Sequence, residues 1–131
     1  MEQEKKIQFF TDLRVWQEAH ELVLMTYQET KQFLKEEQFG LTSQMRRAAV
    51  SITSNIAEGF PRQSLKEKIQ FYSMSHGSLT ELQNQLFIAR DVGYISPQEF
   101  EEITTQGVAV HKLLNAFLKK TRSFQFPDAK F

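Results

Sequence analysis

Four stretches of helical periodicity, separated by a few helix-breaking residues, constrain this chain more than any other feature. Within each stretch apolar residues recur at intervals of three and four, and the alternation typical of a β-strand does not persist anywhere. The only three prolines stand at positions 61, 97 and 127, so each stretch can form an uninterrupted helix. The pattern predicts helices over about residues 13–34, 43–58, 65–92 and 97–121, followed by a tail at residues 123–131.

The length of the chain and its short links define how these helices can pack. A chain of 131 residues can bury one core, so residues 1–131 are expected to form one domain. Short links place consecutive helices side by side and in opposite directions. The sequence therefore predicts an all-α fold, an antiparallel up-down four-helix bundle.

Polar residues at the predicted helix starts fit helix capping. Asp12 is a candidate N-cap of the first helix, because its carboxylate can accept hydrogen bonds from free backbone N–H groups. Ser64 with Glu67, and Ser96 with Glu99, have the spacing of a capping box. These residues predict the first turns of the first, third and fourth helices.

Glycines mark two expected helix ends and one expected crossing. Gly59 and Gly93 follow the second and third helices, where a glycine commonly ends a helix. Gly77 lies in the middle of the third helix. We expect a tight helix crossing there, with a break or kink as the alternative.

The same spacing predicts which side of each helix faces the core. For the first helix the predicted stripe, widened by Leu22 and Met25, is Leu13, Trp16, His20, Val23, Tyr27 and Leu34. For the second helix it is Met45, Ala48, Ala49, Ile52 and Ile56.

The charges sum to zero, but they are unevenly distributed. Sixteen basic and sixteen acidic residues balance over the chain, yet residues 46–68 and 112–130 are net positive and residues 81–102 net negative. Either neighbouring helices complement one another, or the basic segments converge into a surface for an anionic ligand. The candidate nucleic-acid-binding residues are Arg46, Arg47, Arg62, Lys66, Lys68, Lys119, Lys120 and Arg122.

A polar strip runs beside the apolar side of the second helix. Its members follow helical spacing and offer both donors and acceptors. They predict a seam between helices or subunits, with a ligand groove as the alternative. The strip consists of Gln44, Arg47, Ser51, Asn55 and Glu58.

Catalytic and metal-binding patterns do not emerge from the sequence. The chain has no cysteine, and none of His20, His76 and His111 has a carboxylate three or four residues away. Nucleotide-binding glycine loops and the nucleophile elbow of hydrolases are also missing. We therefore expect no catalytic residues, no metal and no cofactor. Without a signal-peptide pattern or a membrane-length apolar run, a cytoplasmic protein is expected.

Residues 39–59 carry a long motif, Phe-Gly-Leu-Thr-x-Gln-Met-Arg-Arg-Ala-Ala-Val-Ser-Ile-x-Ser-Asn-Ile-Ala-Glu-Gly. Further matching segments are Asp12-Leu13-x-Val15-Trp16-Gln17-x-Ala19, Gly77-Ser78-Leu79-x-Glu81-Leu82 and Gly93-Tyr94-Ile95. Over about residues 9–120 the chain resembles the bacterial 23S rRNA intervening-sequence proteins, the S23 family.

This resemblance implies a four-helix bundle that assembles into a homopentamer. Related accessory proteins of diversity-generating retroelements form such a pentamer and bind RNA and a reverse transcriptase. The expected function is therefore a non-enzymatic oligomeric scaffold that binds RNA or DNA through basic residues of the second helix and the following loop. The alternative is a protein–protein adaptor without nucleic acid, suggested by twelve phenylalanines, among them Phe124, Phe126 and Phe131.

Overall fold

The computed structural model describes residues 6–125. Short 3₁₀ turns at Phe10–Asp12 and Lys35–Glu37 precede the first two helices, and residues 6–125 contain no strand. The fold is all-α, as predicted. The four helices are α1 (Arg14–Thr30), α2 (Leu41–Gly59), α3 (Leu65–Asp91) and α4 (Pro97–Gln125). Because α4 is longer than predicted, residues 123–125 of the expected tail are helical, and the rest of that tail, with Phe126 and Phe131, lies outside the described residues.

Each helix packs beside the helices that precede and follow it in the chain, and α4 closes the arrangement by packing against α1. Within the described residues the two diagonal pairs, α1 with α3 and α2 with α4, are not in contact. This order is that of an antiparallel up-down four-helix bundle. None of the helices in residues 6–125 is long and apolar enough to cross a membrane.

The core is built from apolar side chains of all four helices, and α2 contributes its predicted stripe. Met45, Ala49, Ile52 and Ile56 are fully buried, and Ala48 nearly so. Facing them from the other helices are the fully buried Leu22, Leu79, Leu82, Ile103, Val110 and Leu114. Small residues on α2 allow α3 to lie close against it.

The predicted stripe of α1 is confirmed only in part, because Leu22 and Val23 are buried as expected but His20 and Tyr27 are exposed. The buried face of α1 also contains Thr26 and Thr30. The Thr26 hydroxyl donates to the Leu22 carbonyl, and the Thr30 hydroxyl to the Thr26 carbonyl, both at 2.8 Å. Because these bonds satisfy the hydroxyls locally, threonine can face the core at small cost.

The first helix also ends earlier than predicted, at Thr30. The chain then turns so that Phe33 is buried, with its ring centroid 5.1 Å from that of Tyr94. Leu34, which was expected in the core, is 54% exposed. Burial of a phenylalanine against an aromatic ring favours this turn over another turn of helix.

Capping is confirmed at two helix starts and wrong at the third. Glu99 N donates to Ser96 Oγ and Ser96 N to Glu99 Oε1, which completes the capping box. Glu67 N donates to Ser64 Oγ. Asp12 does not cap α1; its carboxylate accepts from Gln8 N and Phe9 N, because a 3₁₀ turn intervenes.

Two of the three glycine roles differ from the prediction. Gly93 has φ of 83° and follows α3, as expected. Gly59 is the last residue of α2, where a Cβ would lie 2.8 Å from Phe71 Cβ, so it serves close packing and not a left-handed cap. Gly77 faces open space within the unbroken α3, so no tight crossing occurs there.

Candidate nucleic-acid interface

The antiparallel order gathers basic residues from α1, α3, α4 and the loop between α2 and α3 at one end of the bundle. The start of α1, the end of α2, the start of α3 and the end of α4 meet there. We call this region the cationic end. It contains Arg14, Arg62, Lys66, Lys68, Lys119, Lys120 and Arg122.

The two halves of the bundle carry opposite net charge. In the half that includes the cationic end (residues 6–22, 51–77 and 112–125), nine basic residues outnumber five acidic ones. In the other half (residues 23–50 and 78–111), which we call the acidic half, eight acidic residues outnumber five basic ones. The neutral composition therefore conceals a polarised molecule, and a polarised surface can steer charged ligands.

Most charged groups of the cationic end are available to a ligand. Arg62, Lys66, Lys119, Lys120 and Arg122 are all exposed. The single ion pair within residues 6–125 is Arg90–Asp91, at the opposite end. Exposed cations without an acidic partner can contact phosphates without first breaking an ion pair.

Two basic side chains of this end are anchored by the protein itself. Arg62 Nε donates to the Glu58 carbonyl at 3.2 Å, and its guanidinium lies 4.8 Å from the Phe71 ring centroid. Lys68 Nζ donates to the Phe60 carbonyl, and burial lowers the pKa of Lys68. Arg62 keeps donors for a ligand, whereas Lys68 serves mainly to hold the loop between α2 and α3.

Arg46 and Arg47 lie apart from the other predicted basic residues, in the acidic half. Arg46 Nε donates to Thr30 Oγ1 at 2.9 Å, and the guanidinium lies 4.8 Å from the Tyr27 ring centroid. Arg47 is exposed and lines a shallow pocket together with Phe39. The structure thus divides the eight candidate residues into a group of six and this pair.

Arg14 joins the cationic end but was not among the candidates. It lines a groove between α1 and α4 together with Lys120. The predicted up-down order would have identified it, because that order places the start of the first helix beside the end of the fourth.

The structure places the predicted polar strip partly between helices and partly in solvent. Asn55 is buried and donates to Ser51 O and Ser51 Oγ, and Ser78 on α3 donates to Ser51 Oγ at 2.8 Å. Ser51 therefore forms a hydrogen-bonded contact between α2 and α3, and Asn55 supports it from within α2. The other three members, Gln44, Arg47 and Glu58, are exposed.

Two of the three histidines meet. The rings of His76 on α3 and His111 on α4 are 4.9 Å apart, whereas His20 stacks on Trp16 at 4.7 Å. Burial, and then the charges of His111 and Arg122, lower the pKa of His76. Residues 6–125 contain no group of three or more side chains able to hold a metal ion.

The acidic half contains two neighbouring carboxyl groups, Glu29 and Glu99. Burial, followed by a side-chain contact with Glu99 and the charges of Glu99 and Glu102, raises the pKa of Glu29 to about 7. Hydrogen bonds from the Ser96 backbone and side chain lower the pKa of Glu99. Glu29 Oε2 is buried and finds no donor within residues 6–125, so its contact with Glu99 becomes a hydrogen bond only when Glu29 is protonated.

Two groups of exposed apolar residues lie on opposite sides of the bundle. On the α1–α2 side Phe39 is 90% exposed, beside the half-exposed Tyr27 and Val50. On the α3–α4 side Phe87 and Val108 line a groove between the helices. Each of these two sides therefore presents adjacent apolar side chains to solvent.

The fold and this surface define a four-helix bundle protein with a cationic end. A family model described as 23S rRNA-intervening sequence protein matches residues 11–116. The chain belongs to this family, which confirms the resemblance inferred from residues 39–59.

Among solved structures the chain is similar to a protein of unknown function from the S23 ribosomal protein family of Bacteroides thetaiotaomicron. The TM-score is 0.73 and the identity 22%, over 80% of this chain and 95% of that chain. At this identity the likeness supports the bundle fold alone. A search of curated proteins gives no match.

Proposed function

We propose that the protein is a non-enzymatic scaffold of the cytoplasm that assembles into a ring and binds the phosphate backbone of RNA through its cationic end. The observation that carries this proposal is the convergence of exposed basic residues from α3, α4 and the loop between α2 and α3. Arg62, Lys66, Lys120 and Arg122 belong to segments distant in sequence, yet they share one end of the bundle.

The expected binding is electrostatic and independent of sequence. Lysine and arginine contacts with phosphates release counterions, so affinity falls as salt rises. In a homopentamer, the number of copies that the family resemblance implies, each cationic end appears five times. Several weak contacts with one RNA then give a much higher avidity than one copy alone.

The positions of the exposed apolar residues support assembly into a closed ring. Two different surfaces on opposite sides of one subunit, around Phe39 and around Phe87, suit a head-to-tail contact between neighbours. Such a contact closes into a ring if its rotation allows, whereas a two-fold dimer would use the same surface twice. The α1–α2 side of one copy would cover the apolar part of the α3–α4 groove of the next, around Phe87 in the acidic half.

The test is fluorescence-anisotropy titration of a structured RNA with the full chain, at about 50 mM and about 150 mM salt. The triple variant Arg62→Gln/Lys66→Gln/Lys120→Gln removes three exposed charges from the cationic end. We expect it to bind at least about tenfold more weakly than the unchanged protein, and to lose about two to three units of salt slope.

The matched control is Lys31→Gln/Lys35→Gln/Arg47→Gln. It removes the same number of exposed basic residues from the acidic half, so the net charge is identical. It should change affinity by less than about threefold, through long-range steering alone. Equal losses in the two triple variants, or no RNA binding by an assembled sample, would overturn the proposal. Competition with a DNA duplex then separates RNA from nucleic acid in general.

A second candidate function is a protein–protein adaptor, favoured by Phe39 with its 90% exposure. The side chains around it form a shallow pocket with Tyr27 and Val50, which an apolar partner residue could fill. If the α1–α2 side instead closes the ring, Phe39→Ser should release monomers. A variant that stays assembled but loses a bound partner would favour the adaptor.

A further inference from the structure

The groove between α3 and α4 changes character along its length. Near the acidic half it is lined by apolar residues such as Leu86, Phe87 and Val108. Near the cationic end it becomes polar. There it is lined by Ser73, His76, Asn115, Leu118 and Arg122.

We propose that this polar part of the groove is a binding site for a phosphate group, and that protonation of His76 and His111 strengthens the binding. The inference rests on the proposed function, because RNA would supply the phosphate. It adds a defined site and a pH response to an otherwise diffuse cationic surface.

The register of α3 against α4 brings a further charge to the groove. Three aromatic pairs, Phe87 with Phe100, His76 with His111 and Tyr72 with Phe117, mark one continuous antiparallel register. Continued toward the cationic end, this register places Lys66 level with Arg122. Lys66 precedes Ser73 by seven residues and so lies on the same side of α3. The site therefore has cations at its open end.

The groove offers donors suited to a phosphate oxygen. Arg122 presents a guanidinium fork, which matches phosphate geometry. Ser73 and Asn115 supply a hydroxyl and an amide donor, and each imidazole supplies one N–H when neutral and two when protonated. Leu118 forms the apolar floor, which limits competing water.

The charges around His76 explain the pH response. The charged and titratable groups that act on it are His111 and Arg122, both on α4. On the other side of α3, the contact with α2 is made by Ser75, which donates to the Ile52 carbonyl, and by Ser78 with Ser51. Burial, followed by these two neighbours, opposes protonation of His76. A bound phosphate reverses that balance, because an anion stabilises the imidazolium.

A metal ion fits this site less well than a phosphate. Two imidazoles provide two ligands, whereas zinc usually takes at least three from the protein. The guanidinium of Arg122 lines the same groove and would repel a cation. The donor set and the charge both favour an anion.

The first experiment follows the imidazole C2–H signals of the full chain by NMR while tripolyphosphate is added at about pH 6, where histidine titrates. We expect the His76 and His111 signals to shift with saturation and the pKa of His76 to rise. His20, exposed on α1, is the internal control and should not shift. Unshifted His76 and His111 signals, or equal shifts at all three histidines, would overturn the site.

The second experiment compares two single-charge variants of α4, Arg122→Gln in the groove and Lys112→Gln, exposed one residue beyond His111. Loss of a charged hydrogen-bond donor should weaken tripolyphosphate binding about fivefold or more for Arg122→Gln, and less than about twofold for Lys112→Gln. In addition, His76→Gln/His111→Gln should remove the gain in affinity between about pH 7.5 and pH 6. Equal effects of the two single variants, or an undiminished pH response, would contradict the proposal.

These outcomes separate the site from the proposed function. RNA binding that depends on the cationic end but leaves the histidine signals unchanged would refute the groove site alone. Tripolyphosphate binding at the histidines without RNA binding would refute the RNA scaffold and keep the phosphate site.

Discussion

The two ends of the bundle use their charged residues differently. In the acidic half, Glu37 accepts from Leu41 N and from the Tyr94 hydroxyl, and Glu99 completes the cap of α4. At the cationic end, Lys66, Lys120 and other basic groups are exposed without an ion pair among the described residues. Carboxylates at one end hold the helix connections, whereas cations at the other end remain free for a ligand. Charged side chains that stabilise the fold are hydrogen-bonded within the protein, whereas those available to a ligand are exposed.

The largest expected effect on stability comes from Gly59, which permits close packing of α2 and α3 beneath the cationic end. In Gly59→Ala the added Cβ would lie 2.8 Å from both Phe71 Cβ and the Tyr72 ring, so one helix must shift. We expect a loss of about 1–3 kcal/mol in the free energy of unfolding, measured by urea denaturation.

The matched variant is Gly77→Ala, on the exposed face of α3. A Cβ there meets open space, so the higher helix propensity of alanine should stabilise the protein by up to about 1 kcal/mol. If both variants change the free energy of unfolding in the same direction, the close contact at Gly59 does not determine stability there.

A smaller effect is expected from the carboxyl group of Glu29 in the acidic half. Since the folded pKa of Glu29 is about 7 and the unfolded value near 4.5, the folded state binds the proton more tightly. The contribution of Glu29 to stability is complete below the unfolded pKa and is lost as the pH rises through the folded pKa. At alkaline pH the free energy of unfolding of Glu29→Gln should therefore exceed that of the unchanged protein by roughly 1 kcal/mol, after allowance for solvent screening. Urea denaturation measures this difference.

At acid pH the Glu29→Gln variant and the unchanged protein should have equal stability. Glu21→Gln, an exposed change on the same helix, is the control and should leave the pH profile unaltered. A Glu29→Gln variant with the original pH profile would show that the pKa of the Glu29 carboxyl is not raised.

The smallest effect belongs to the pair of His76 and His111, at the boundary between the two halves of the bundle. Because the folded pKa of His76 is lowered, its contribution to stability is present at neutral pH and is lost as the pH falls below the unfolded value. Acidification should cost a few tenths of a kcal/mol at this partly exposed site, and tripolyphosphate should restore it. His76→Gln should remove both responses in thermal unfolding scans; retention of either would assign the acid sensitivity elsewhere.

The accuracy of the sequence-based prediction differs between helices for a physical reason. On α2 the hydrophobic side chains of Ile52 and Ile56 are buried, as their hydrophobicity predicts, and the predicted stripe is confirmed. On α1 the buried face includes Thr26 and Thr30, whose hydroxyls are satisfied by the backbone four residues earlier, a solution that polarity alone does not reveal.

The candidate site could be predicted only in part from the sequence, for a different reason. Periodicity identified the basic segments, but their grouping depends on which helix ends share one end of the bundle. That is why Arg47 was grouped with Arg62, although they lie in opposite halves, and why Arg14 was missed. The meeting of His76 with His111 depends on the α3–α4 register, which sequence spacing within one helix cannot fix.

The most direct test of the account is to map where RNA touches the assembled protein. RNA carrying a photoreactive uridine would be cross-linked to the full chain, and the modified peptides identified by mass spectrometry. The account predicts cross-links at the loop between α2 and α3, at the start of α3 and at the end of α4, near Arg62, Ser73 and Arg122. Cross-links concentrated instead around Arg47, Phe39 and the start of α4 would contradict it.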